Sequence, residues 1–129
     1  MRGKLEFQTD SGEWETIFEP TLRQVRGCMQ YLDYHNRCMM LLKLPSGTFI
    51  LTSTSDPERL TLRFCDQSSK SRSVILDPHQ AEDETVEVRA DRLVDVPRRD
   101  TISCETALSI VSYFLKYKQF PVGLVWSGD

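Results

Sequence analysis

Residues 95–126 read DVPRRDTISCETALSIVSYFLKYKQFPVGLVW, the stretch with the clearest hydrophobic pattern in the chain. At about 100° per residue, its apolar side chains fall on one helical face: Cys104, Ala107, Leu108, Ile110, Val111, Phe114 and Leu115. Ser103 directly precedes this run, where its hydroxyl can accept a hydrogen bond from an otherwise unpaired backbone N–H. Pro121 cannot continue a helix. The stretch therefore predicts an amphipathic helix after Ser103 and then a short strand at VGLVW.

The segments before residue 95 predict one more helix among several strands. A helix over roughly 20–34 follows from an apolar face at helical spacing, starting either with Pro20 in its first turn or with Thr21 and Gln24 as a capping pair. Alternating or continuous apolar residues between turn residues predict strands at 4–8, 13–18, 37–44, 48–53, 59–65, 73–76 and 85–89. We expect the strand at 37–44 to be central and covered on both faces. Within 59–65, the alternation predicts that Arg59 and Arg63 face water.

This order of elements predicts an α+β fold, with two helices packed on one face of a mostly antiparallel sheet. A chain of 129 residues with 40% hydrophobic residues can bury one core but not two of comfortable size. We therefore expect residues 1–129 to form a single domain.

Composition excludes several classes of function. A net charge of −3 does not suit direct nucleic-acid binding, which normally requires a basic face. No apolar run is long enough to span a membrane, and residues 1–14 lack the apolar core of a signal peptide, so we expect a cytoplasmic protein. The four cysteines lack paired C-x-x-C spacing and are interpreted as reduced, apolar side chains.

The sequence contains none of the common catalytic or cofactor-binding motifs, so we expect no catalytic residue, no cofactor and no enzyme activity. His35 and His79 are the only histidines, one at a helix end and one in a loop, and this separation argues against a two-histidine metal site. The run Glu82-Asp83-Glu84 lacks the alternating ligands and the turn glycine of a calcium loop. We expect no bound metal.

Residues 95–126 resemble the C-terminal signature of bacterial polymorphic-toxin immunity proteins, in the first-numbered of the Imm families. The matching residues are Pro97, Ile102, Glu105, Ala107, Phe114, Leu115, Pro121 and Trp126. The resemblance implies a cytoplasmic immunity protein that takes part in interbacterial competition. Such a protein would bind a cognate secreted or contact-delivered toxin domain and inhibit it stoichiometrically, and the acidity of residues 77–95 suits a toxin that acts on nucleic acids and carries Lys and Arg around its substrate channel.

A strongly acidic segment suggests where such a partner would bind. Residues 77–95 contain seven acidic residues against two arginines, a local net charge of −5. On a helix extending to residue 34, Tyr31 and Tyr34 would share the face opposite the apolar one. Carboxylates steer a basic partner and tyrosines supply rigid contact area, although solvated acids and tyrosines packed on a neighbouring strand are the simpler interpretation. The predicted partner-binding residues are Tyr31, Tyr34, Asp77, Glu82, Asp83, Glu84 and Glu87.

Two other functional classes remain open from the sequence. A type III secretion effector chaperone is also small, acidic and α+β, but it acts as a homodimer, whereas we expect a monomer before toxin binding. An enzyme of unfamiliar type would need a deep pocket lined by titratable groups with shifted pKa values.

Overall fold

The computed structural model describes residues 1–68, 72–81, 83–89 and 92–128. Within these ranges the chain forms ten strands and two helices, which confirms the predicted α+β class. The elements are β1 (Lys4–Gln8), β2 (Trp14–Phe18), α1 (Leu22–Tyr31), β3 (Met39–Leu44), β4 (Gly47–Ser53), β5 (Arg59–Asp66), β6 (Arg72–Leu76), β7 (Thr85–Arg89), β8 (Leu93–Pro97), β9 (Ile102–Ser103), α2 (Cys104–Tyr117) and β10 (Val125–Gly128). A 3₁₀ turn over Arg98–Asp100 leads into β9. The sequence analysis missed β8.

The strands form one eight-stranded sheet and one separate hairpin. The sheet has the order β10-β6-β5-β4-β3-β1-β2, and β9 pairs with the start of β5. All pairs in this sheet are antiparallel. Strands β7 and β8 form the hairpin, which joins the end of β4 through a single bridge between Thr54 and Val88. Strand β2 therefore lies at one edge of the main sheet, far from β6.

Both helices pack on one face of this sheet, as predicted. The pairing register places Leu5, Leu42, Phe49 and Phe64 side by side across β1, β3, β4 and β5. These side chains are buried in one cluster with Val25 and Met29 of α1 and with Ala107, Ile110, Val111 and Phe114 of α2. The ring of Phe49 is completely buried and meets Phe64, Phe114 and Phe120 at centroid separations of 5.0, 5.1 and 5.7 Å. Helix α2 is thus fixed to the centre of the sheet by aromatic packing.

The N-terminus of α2 has the predicted cap. The Ser103 hydroxyl accepts a hydrogen bond from the backbone N–H of Thr106 at 3.0 Å. At the other end, Lys118 adopts a left-handed conformation with φ of 57°, and its N–H donates to the carbonyl of Phe114. This conformation turns the chain toward Pro121 and β10.

Helix α1 has the predicted start but ends earlier than predicted. Thr21 and Gln24 form a reciprocal capping box, yet the helix ends at Tyr31 rather than near residue 34. The Asp33 carboxylate accepts hydrogen bonds from the backbone N–H groups of His35 and Asn36 at 2.8 and 2.7 Å, and this local bonding competes with helix continuation. Tyr31 and Tyr34 therefore do not share a helical face, and that prediction was wrong.

The prediction that β3 is covered on both faces was also wrong. Met40 and Leu42 are fully buried on the helix side, whereas Met39 and Leu41 on the opposite side are only half-buried. The sheet has its helices on one side, so the other side of β3 is covered only in part. No helix in the described part of the chain is long and apolar enough to cross a bilayer.

Candidate functional site

Tyr34 connects the loop after α1 to the β7–β8 hairpin. Its hydroxyl donates a hydrogen bond to the Glu87 carboxylate, which is 53 residues away in the chain. The Arg89 guanidinium lies 5.1 Å from the centre of the Tyr34 ring, within the range of a cation–π contact. The hydrogen bond to Glu87 is the main cause of a raised pKa for the Tyr34 phenol. Two of the predicted partner-binding residues, Tyr34 and Glu87, are thus brought into direct contact with each other.

The loop that carries Tyr34 is held in place by hydrogen bonds of Asp33 and of Ser53 in β4. The Ser53 hydroxyl donates to the carbonyl of Asp33 at 2.7 Å and so anchors the loop to the end of β4. The hydrogen bond from the N–H of Asn36 to the Asp33 carboxylate is the main cause of a lowered pKa for that carboxyl group. The position of Tyr34 is therefore determined by the fold and does not depend on a bound partner.

A cleft of about 510 Å³ lies beside this loop. Its walls come from the loop after α1, the segment after β4, the start of β5, β7 and the first residue of α2; the ionisable lining residues are Asp33, Tyr34, His35, Asp56, Arg59, Glu87 and Cys104. Burial raises the pKa of the Cys104 thiol, which is the opposite of what an activated nucleophile requires. We therefore assign no catalytic role to Cys104.

Most other charged groups of the cleft are engaged in ion pairs or hydrogen bonds of the fold. The Asp56 carboxylate accepts from the N–H of Glu58 at 3.0 Å and from the Arg98 guanidinium at 2.7 Å. Arg59 donates to Asp77 at 2.8 Å and to the Thr101 hydroxyl and carbonyl oxygens at 2.8 and 2.7 Å. Across the described residues, every buried side-chain nitrogen and oxygen has a hydrogen-bond partner. This pattern favours a structural role for these groups.

The network of Arg59 corrects one prediction from alternation. Arg59 was expected to face water, but its side chain is only 10% exposed and is enclosed by Asp77 and the completely buried Thr101. Burial would raise the pKa of Asp77, but the hydrogen bonds from Arg59 and from the N–H of His79, together with the positive charge of Arg59, hold it below its ordinary value. Asp77, a predicted partner-binding residue, is thus bound within the fold.

The hairpin presents acidic side chains on its outer face. Asp83 and Glu84 are exposed just before β7. The register pairs Glu87 directly with Asp95, while the inward-facing Val86 and Val88 are buried. Glu87 is half-buried and accepts from Tyr34, whereas Asp95 is exposed, so the pair adds negative charge to this part of the surface. Glu82, also predicted to bind a partner, lies outside the described residues.

Tyr31 lies apart from this acidic surface. Its side chain is 66% exposed at the end of α1, with the Arg37 guanidinium 5.2 Å from the ring centre. Arg37 also forms an ion pair with Asp10, and all three residues line a pocket of about 300 Å³ between α1 and the end of β1. The predicted set therefore divides into the acidic hairpin with Tyr34, the internal Asp77, and Tyr31 at a separate pocket.

Sequence reasoning missed two features of the surface. Strand β8 has an alternating LVDVP pattern, which was the available signal for the hairpin and for the Glu87–Asp95 pair. The outer edge of β2 exposes Trp14 and Phe18. The available signal for this exposed edge was the presence of two large apolar residues four positions apart on one face of a strand.

Among the described residues, no three His, Cys, Asp or Glu side chains come together as metal ligands would. No protein-family model matches the chain, and no curated protein matches it.

Proposed function

We propose that this protein is a cytoplasmic immunity protein that binds a secreted or contact-delivered bacterial toxin domain and neutralises it stoichiometrically. The observation that carries the proposal is the acidic surface of the β7–β8 hairpin, where Asp95 is exposed beside the half-buried Glu87 and Asp83 and Glu84 are exposed nearby. A basic partner would offset the negative charge of this surface. The resemblance of residues 95–126 to the immunity-protein signature supports the same proposal.

The proposed target is a toxin that acts on nucleic acids. Such a toxin carries Lys and Arg around its substrate channel, and carboxylates can occupy this channel in place of phosphates. The exposed Asp83 and Glu84 would accelerate the encounter by electrostatic steering. Tyr34 would support the surface from beneath, because its hydroxyl orients Glu87 and its ring holds Arg89. Tyr31 would contribute contact area at a second point.

The first test is affinity capture from the native cytosol, followed by purification of the captured protein. The expected partner is the C-terminal domain of a large secreted protein, bound at one-to-one stoichiometry. Producing that domain in a laboratory bacterium should stop growth, and equimolar co-production of this protein should restore it. A captured domain that is harmless, or whose toxicity persists with an excess of this protein, would contradict the proposal.

A matched pair of variants tests the role of the hairpin. The hairpin variant, Asp83→Asn with Glu84→Gln, removes two negative charges, and the control, Ser109→Lys with Gln119→Lys, adds two positive charges. Each therefore shifts the net charge of −3 by two positive units. All four positions are exposed. The hairpin variant should lower the association rate constant for the toxin domain about tenfold at low salt and flatten its salt dependence. The variant with Ser109→Lys and Gln119→Lys should change both quantities much less. Equal effects would assign the steering to net charge rather than to the hairpin.

Light scattering separates this function from that of a secretion chaperone. An immunity protein of the proposed kind should be monomeric before it binds the toxin. A stable homodimer that captures the N-terminal segment of a secreted effector would favour the chaperone.

A further inference from the structure

The outer edge of β2 has free backbone hydrogen-bonding groups. The N–H of Thr9 donates to the carbonyl of Glu13 at 2.8 Å, and the N–H of Glu19 donates to the carbonyl of Gly3 at 2.9 Å. In an antiparallel ladder, residues whose backbone groups point to the neighbouring strand alternate with residues whose groups point away. The odd-numbered residues of β2 therefore bond to β1. The N–H and C=O groups of Trp14, Thr16 and Phe18 point outward, and the described residues place no strand beside them.

The side chains of this edge form two distinct rows. Trp14, Thr16 and Phe18 lie on the face away from the helices, with Trp14 47% and Phe18 69% exposed. The Lys4 ammonium lies 5.6 Å from the centre of the Phe18 ring and covers part of it. Glu15 lies on the helix-side face next to Ile17, because Ile17 pairs with the core residue Leu5.

This edge is not suited to pair with a second copy of itself. In an antiparallel homodimer about a two-fold axis perpendicular to the sheet, centring the pair on Glu15 places Glu15 opposite Glu15. Centring it on Thr16 brings Glu13 near Glu19, and centring it on Ile17 brings Glu15 near Glu19, which follows β2 in a left-handed conformation at φ of 49°. Like charges brought close together destabilise strand pairing, so each of these registers is disfavoured.

We propose that β2 is a docking edge for an extended basic segment of another protein, which adds to the sheet as a further antiparallel strand. The partner segment would place Lys or Arg opposite the glutamates on the helix-side row and apolar or threonine side chains against Trp14 and Phe18. Its backbone would bond to the three outward-pointing residues, as in other cases of strand addition. The site is separate from the acidic hairpin and does not depend on the assignment of a toxin as partner.

The probe is a blocked seven-residue peptide, Lys-Val-Lys-Thr-Arg-Val-Lys, titrated into ¹⁵N-labelled full-length protein. The amide signals of Trp14, Thr16 and Phe18 should shift and become protected from hydrogen exchange. With three glutamates near the edge, the peptide should bind about tenfold more tightly than Glu-Val-Glu-Thr-Glu-Val-Glu. Shifts centred on the hairpin, equal affinity for the acidic peptide, or no shift at millimolar peptide would overturn the proposal.

Two controls distinguish strand addition from simple charge attraction. Thr16→Pro removes an outward-pointing N–H, a change that edge strands tolerate, and should abolish peptide binding while leaving β1–β2 pairing intact. The same basic peptide with alternate N-methylated amides keeps its charge but cannot complete the ladder, so it should lose binding to the unmodified protein. Retained binding in either case would refute the proposal, as would a concentration-dependent dimer protected at β2. The peptide assay involves no toxin, so its failure is distinguishable from failure of the immunity function.

Discussion

Replacing Arg59 by methionine should destabilise the protein more than any change of a surface arginine. The guanidinium joins three parts of the fold that are far apart in sequence: the start of β5, Asp77 after β6, and Thr101 before β9. Methionine keeps the length and apolar character of the stem but removes the charge and all three hydrogen bonds. The Asp77 carboxylate then loses its cation and the buried Thr101 carbonyl loses this donor.

The expected loss follows from the exposure of the two partners. Removing one member of a buried ion pair typically costs about 3–5 kcal/mol, and a buried carbonyl left without a donor accounts for about 1–3 kcal/mol of such a loss. Asp77 is 22% exposed, so water can partly replace Arg59 at its carboxylate. We therefore expect the lower end of that range, about 3 kcal/mol for Arg59→Met.

Urea denaturation followed by circular dichroism measures this loss. For an m-value of about 2 kcal/mol/M, the midpoint should fall by about 1.5 M urea. Arg26→Met, at an exposed position of α1, is the matched control and should stay within about 0.5 kcal/mol. If the two variants lost the same stability, the Arg59 network would not be a stabilising element and the reasoning from its contacts would be wrong.

The same network predicts a pH dependence. The pKa of Asp77 is lower in the folded protein than its ordinary value of 3.8, so its ionised form stabilises the fold. This contribution is fully present above the unfolded pKa and disappears as the pH falls through the folded pKa. Asp77→Asn should therefore be less stable than the natural protein at pH 7, and the difference should shrink below about pH 4. A difference that stays constant from pH 7 to pH 2 would exclude this linkage.

Two further changes test the core and the end of α2. Phe49→Ala removes a completely buried ring packed on three other aromatic rings. It should lower the free energy of unfolding, measured by urea denaturation, by about 3–5 kcal/mol. A loss below about 1 kcal/mol would contradict the central position of this ring. Lys118→Gly removes the steric cost of the left-handed conformation at φ of 57° and should raise the free energy of unfolding by about 0.5–1 kcal/mol. The control Lys116→Gly, within the helix, should lower the free energy of unfolding by about 1 kcal/mol. Destabilisation by Lys118→Gly would refute the assigned helix end.

The sequence predicted the elements whose signals are local. The Ser103 cap, the Thr21–Gln24 capping box and the inward row of β5 all follow from residues within a few positions of one another, and the structure confirms each of them. The sheet face that receives the helices followed from the same alternation. Both helix starts and the fold class were therefore accessible from the sequence.

The error at Arg59 arose because distant residues decide its surroundings. The alternation in β5 assigned Arg59 to the water-exposed side, but its partners are 18 and 42 residues away, and no period in the sequence encodes them. The contact between Tyr34 and Glu87, 53 residues later, could not be predicted for the same reason, whereas the early end of α1 follows from the nearby Asp33. The candidate site depends on such contacts, which is why the sequence identified its residue types better than their arrangement.

Both surfaces proposed here use like charge in the same physical way. Glu87 is paired with Asp95 within the hairpin, and Glu13, Glu15 and Glu19, in and beside β2, would approach one another in a homodimer. The negative charge of each surface disfavours binding of an acidic partner or of a second copy and favours binding of a basic partner. Selectivity therefore comes from rejection as well as from attraction. Because these acidic side chains lie outside the main hydrophobic cluster, their charge can change partner choice without changing the core that holds the strands in place.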